Sequence, residues 1–144
     1  MAIYVTKQDL IDRDNNMLWN FAVDRATDEL NDVWIDQALE QADEEIDSFL
    51  GRRFVLPLAT VPGILNKTAI TIAFYWLGDR DNQVTELLEK RYHAALTTLK
   101  EIASGKRELG LPTIEAPTES SVGKVELVQD NERMFTRDSL KGIL

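Results

Sequence analysis

Residues 62–78, PGILNKTAITIAFYWLG, are apolar around nearly the whole circumference of a helix, and no other feature constrains the fold as much. Ile64, Leu65, Ala69, Ile70, Ile72, Ala73, Phe74, Trp76 and Leu77 leave no broad polar stripe. A helix of this kind needs neighbours on every side, which places it at the centre of a bundle. The β-branched run has strand propensity, but the length of the segment and its internal alanines favour helix.

The flanking segments supply the neighbours. From residue 31 or 32 to about residue 51, Val33 or Trp34, Ile35, Ala38, Leu39, Ala42, Ile46, Phe49 and Leu50 recur at steps of three and four, while Asp36, Glu40, Asp43 and Asp47 make the same steps on the other side. Asn31 and Asp32 are N-cap types, and Gly51 is a C′ type. A second long helix is expected over 83–104, with Val84, Leu87, Leu88, Arg91, Tyr92, Ala95, Leu96, Leu99, Ile102 and Ala103 in its seam and Gly105 closing it. Near the N-terminus, Thr6 and Asp9 form an imperfect capping box that opens a short helix, with Ile3, Tyr4 and Val5 packing beneath it. A turn at DRDNN and a second short helix around Met17, Leu18, Phe21 and Ala22 follow.

Between the first long helix and the buried one lies GRRFVLPLATVP. Pro57 cannot continue a helix and biases Leu56 toward extended geometry, whereas Pro62 suits the first turn of a new one. Leu50, Gly51, Arg53, Pro57 and Pro62 therefore define an elbow that carries Phe54, Leu56 and Leu58 over the core. The expected fold is all-α: a compact bundle of about four to five helices over 1–105, with an extended C-terminal arm over 106–144. That arm lacks a long helical period, and contains KVELV, which alternates like a strand, and RMFTRDSLKGIL, which has the look of a docking peptide.

Charge and composition narrow the function. The chain carries 16 basic and 25 acidic residues, net −9, so it mostly repels a DNA duplex rather than holding its phosphates. Between Asp24 and Asp47 the only base is Arg25. The row Asp36, Glu40, Asp43 and Asp47 reads as a solvated or channel-facing surface, because the Glu-x-x-His pair of dinuclear carboxylate bundles does not occur. His93 is the only histidine and reads as structural or surface rather than as a base. No nucleophile elbow, no phosphate-cradling glycine loop and no cysteine is present. Catalytic residues, cofactors and metals are therefore not expected. Arg52 and Arg53 beside Phe54 have three readings, a nucleic-acid grip, a protein interface, or a structural pairing of one of them with Glu45, Asp47 or helix C-terminal carbonyls; the structural one is favoured and the protein interface comes next. No apolar run is long enough to span a membrane, and the N-terminus lacks the pattern of a leader, which points to cytoplasmic origin.

Taken in order, YVTKQDLI, ALEQADEEIDSFLGRRFVLPL, AITIAFYWL and RYHAALTTLKEIASGKRELG resemble the small head and neck structural proteins of Mu-like bacteriophages and prophages. The resemblance covers most of residues 3–110, and RMFTRDSLKGIL also resembles that family's C-terminal end. It implies a helical head-to-tail connector in the virion, made in the host bacterial cytoplasm, with no reaction and no cofactor. Such adaptors form a ring, commonly of twelve subunits, beneath the portal protein. The ring extends the DNA channel, lets DNA pass without specific binding, and docks tail or stopper proteins; whether the isolated chain is monomeric is left open. By the same analogy Arg133, Met134, Phe135, Arg137, Leu140 and Ile143 are the expected partner contact. The alternative is a phage-encoded regulatory protein that binds a host factor through its C-terminal tail.

Overall fold

The computed structural model describes residues 2–114. The chain divides into two units, Met1–Leu111 and Pro112–Leu144, and the helices of the described residues lie in the first. The extended arm expected over 106–144 falls, from residue 115 onward, outside the described residues.

α1 (Lys7–Ala22) opens with both halves of the capping box: the Thr6 side chain accepts from the Asp9 amide and the Asp9 carboxylate accepts from the Thr6 amide. Its helical geometry breaks at Asp14 (φ −164°, ψ 87°), whose carboxylate then caps the next turn by accepting from the Met17 amide at 3.0 Å. The two short helices expected from sequence are thus one kinked element. A hairpin that the periodicity did not announce follows, β1 (Val23–Asp24) antiparallel to β2 (Glu29–Leu30), with Asp28 at positive φ in its turn. It delivers Asn31, whose side chain accepts from the Trp34 amide and starts α2 (Asp32–Leu50).

α2 buries Ile35, Ala38, Leu39, Ala42, Ile46 and Leu50, the expected apolar seam. Its end differs from expectation. Gly51 is right-handed (φ −59°, ψ −15°), not a left-handed cap, and the amides of Arg53 and Phe54 turn back onto the Leu50 carbonyl. The approach is close: a Cβ there would lie 3.2 Å from the Asp47 carbonyl oxygen. The elbow then buries Phe54 almost completely and lays Leu56 and Leu58 half-buried on the core, with a cis peptide between Leu56 and Pro57.

Pro62 is itself the cap residue of α3 (Gly63–Arg80), extended at φ −64° and ψ 150°, one position earlier than the first-turn role expected for it. α3 packs on α1, α2 and α4, so the all-round apolar segment is the central helix. Gly78 is buried where α1 and α4 come closest to it; a Cβ would meet Leu88 at 3.0 Å and Phe21 at 3.2 Å. α4 (Glu86–Ser104) starts later than residue 83, because the Gln83 amide bonds the Gly78 carbonyl and the Thr85 hydroxyl accepts from the Leu88 amide. Leu88, Tyr92, Ala95, Leu99 and Ile102 face the core, while Leu87 and Arg91, placed in the seam by sequence, are exposed. Gly105 closes the helix at φ 90° as expected. The chain then folds back, with the Arg107 amide on the Glu101 carbonyl and Leu109 and Leu111 half-buried, so the compact unit extends past residue 105.

Candidate interaction surfaces

The acidic row of α2 does not form one solvated face. Asp43 is buried, at 8% exposure, and accepts from the Ile3 amide through Oδ2 and from the Tyr4 amide through Oδ1 at 3.2 Å. Asp47 is half-buried and accepts from the Tyr4 hydroxyl at 2.5 Å. Burial raises the Asp43 carboxyl above the ordinary aspartate range despite the two amides, and burial beside Asp47 and Asp43 pushes the Tyr4 phenol far up. Sequence phase put all four acids outside because it is blind to the N-terminal segment, which crosses α2 at this point. Asp36 and Glu40 do point outward, and Glu44 continues their line at steps of one turn, about 6 Å each.

Glu45 is the polar residue that sequence reasoning placed least well. Its carboxylate accepts from Tyr92 of α4 at 2.7 Å and from the Trp76 indole of α3 at 3.1 Å, joining three helices. Tyr92 stacks on Tyr75 with ring centroids 3.8 Å apart. Burial first, and then Glu45, pushes the Tyr92 hydroxyl well above the usual tyrosine range. The signal was available: residue 45 falls at helical spacing from Ala38, Ala42 and Phe49, in the apolar seam.

Arg53 takes the structural role expected of it, but with a different helix. Its Nη1 donates to the Ile102 carbonyl at the end of α4 at 2.9 Å, and its other nitrogen lies 3.6 Å from the exposed Glu108. Arg52 is exposed beside Ser48, Phe49 and Lys100. His93 is exposed, 3.9 Å from Glu89.

A cleft of about 420 Å³ opens between α1, α3 and α4. Arg13, Lys67, Arg91 and Arg107 line it, with Thr68, Thr71 and Thr98 between them and no acidic side chain. Ile64, Ala94 and Ala95 are its apolar lining. Arg107 is held by Glu101, to which it donates from Nε at 3.2 Å and Nη2 at 2.9 Å. Among the described residues, Arg13, Lys67 and Arg91 form no ion pair. In a chain of net charge −9 this is a local inversion of sign. The sequence scattered these four residues over three segments and gave no hint of it.

Residues 4–127 match the model of the family described as Bacteriophage Mu, Gp36. The chain belongs to the Mu Gp36 family. It is 32% identical over its whole length, and over the whole of the relative, to Mu-like prophage FluMu protein gp36 of Haemophilus influenzae. It is also 33% identical over 99 residues to gene product J of Escherichia phage Mu, which covers 69% of this chain and 67% of that one.

The Gp36 match spans all four helices, the elbow, the outward acids of α2 and the cationic cleft, so these are parts of a phage protein. It stops short of Arg133, Met134, Phe135, Arg137, Leu140 and Ile143, which the alignment with the Haemophilus relative does include. Those six lie outside the described residues. Among the described residues no helix is long and apolar enough to cross a membrane.

Proposed function

We propose that this Gp36 family member is a head-to-tail connector: a ring subunit that binds beneath the portal, extends the DNA channel and docks tail or stopper proteins. The reading rests on one observation, the full-length likeness to a Mu-like prophage gp36 chain. The fold is in keeping with it. Asp43, Asp47, Glu45, Tyr4 and Tyr92 all tie segments of the scaffold together. A net charge of −9 suits a conduit that DNA passes without being gripped. The protein acts by binding rather than by catalysis, and Arg133, Met134, Phe135, Arg137, Leu140 and Ile143 make the partner contact.

Electron microscopy of the full chain mixed with the portal of its own phage tests this. A ring seated on the portal is expected. Absence of any complex, together with absence of the protein from purified virions by mass spectrometry, overturns the reading in favour of a regulatory protein that acts on a host factor.

A further inference from the structure

We infer that the cationic cleft between α1, α3 and α4 receives the acidic outer edge of α2 from a second copy of this chain. The inference deepens the connector reading, since it names the contact between neighbouring subunits, and it rests on that reading only for the expectation of repeated copies.

The argument is one of charge and shape. The cleft holds Arg13, Lys67 and Arg91 without an acid of its own, an arrangement that is self-repulsive until an anion enters. Asp14, which borders an adjoining pocket with Arg13 and Arg91, is directed to the Met17 amide. The chain carries the complementary surface itself. Asp36 and Glu44 are exposed two turns apart on one line of α2, about 12 Å along the axis. Carboxylates on a helix at that spacing engage guanidinium and ammonium groups along a cleft, and Ala94 and Ala95 let the visiting helix approach. The cleft belongs to α1, α3 and α4 and the acidic edge to α2, so the two surfaces are different patches of one subunit. A contact of that kind is heterologous, and it closes into a ring when its rotation divides a full turn. A long polyanion is the poorer occupant, because the whole chain, at −9, repels it before the cleft is reached.

The sequence has no cysteine, so an introduced pair reports contact without background. A full-length Glu44→Cys chain is mixed with a full-length Thr98→Cys chain under mild oxidation at low salt, with and without the purified portal. A mixed disulfide dimer is expected that neither variant forms alone. Adding Lys67→Glu and Arg91→Glu to the Thr98→Cys copy should cut its yield about tenfold or more. Asp36→Lys in the Glu44→Cys copy should restore part of it. All these positions are half-exposed or exposed, and unchanged thermal melts establish that each variant is folded. No mixed dimer in either condition, or a yield indifferent to the charge reversals, overturns the inference. Retention of a short DNA duplex that the Lys67→Glu, Arg91→Glu chain loses, without any mixed dimer, also overturns it and assigns the cleft to phosphate. A ring on the portal that ignores the reversals sinks this contact and leaves the connector reading standing; a mixed dimer from a chain that never binds portal does the opposite.

Discussion

The Arg53 guanidinium donates to the Ile102 carbonyl at 2.9 Å, and by that bond the elbow after α2 caps the end of α4. The Ile102 carbonyl, which also accepts from the Gly105 amide at 3.3 Å, gains a charged donor at the negative end of the helix dipole. The elbow is therefore a clamp between two helices as well as a change of direction.

Arg53→Met, which keeps the aliphatic stem and removes the donors, should lower stability by about 1.5–3 kcal/mol, the range for a hydrogen bond to a charged group. Urea unfolding followed by circular dichroism measures it. Glu108→Gln should be close to neutral, because Glu108 is 71% exposed and its ion pair is screened.

Acid should act on Asp9 and Asp43 in opposite directions. Burial raises the Asp9 carboxyl, but the Thr6 amide, Asn66 and the Thr6 hydroxyl outweigh it and hold it below its ordinary 3.8. Its contribution is present above that value and lost as pH falls through the lowered one. Asp43 is raised, so its contribution is full below its unfolded value and lost as pH rises through the folded one. Thermal melts from about pH 6 to about pH 2 should fall more steeply for the parent chain than for Asp9→Asn. An identical slope in the two chains counts against the assignment.

All three tyrosines are held above their ordinary value of 10.0, each chiefly by burial. For raised groups the stabilisation is complete below that value and declines as pH rises above it. An ultraviolet titration of the folded Tyr75→Phe chain, which leaves Tyr4 and Tyr92, should show no phenolate step near pH 10, and ionisation should coincide with alkaline unfolding. A separate step in the native protein near the ordinary value would contradict the geometry at Tyr4 or Tyr92.

Leu50 is fully buried and Leu87 is 57% exposed, although sequence placed both in apolar seams. Leu50→Ala should cost about 2–5 kcal/mol. Leu87→Ala should change stability by no more than about 0.5 kcal/mol. Paired urea midpoints measure the difference.

The helices were legible because periodicity and caps are local. Thr6, Asn31 and Gly105 sit where their chemistry placed them, and residues 62–78 could only be central. The hairpin Val23–Leu30 was not legible: strands of two residues carry no period, and the positive φ at Asp28 follows from closing the turn. The true start of α4 escaped notice for a similar reason, since the hydrogen bonds of Gln83 and Thr85 decide it rather than apolar spacing.

By itself the sequence determined an all-α scaffold with a buried helix over residues 62–78, a proline-marked elbow and an excess of acid, since each depends on neighbours in the chain or on simple sums. Only the tertiary structure decided which acids face water. Asp43 is inside because a segment forty residues away in the chain lies across it, and Glu45 is bound because α3 and α4 bring Trp76 and Tyr92 to it. The cationic cleft is a tertiary fact of the same kind. Arg13, Lys67, Arg91 and Arg107 are unremarkable as single charges on three segments, and they become one surface only when α1, α3 and α4 pack together.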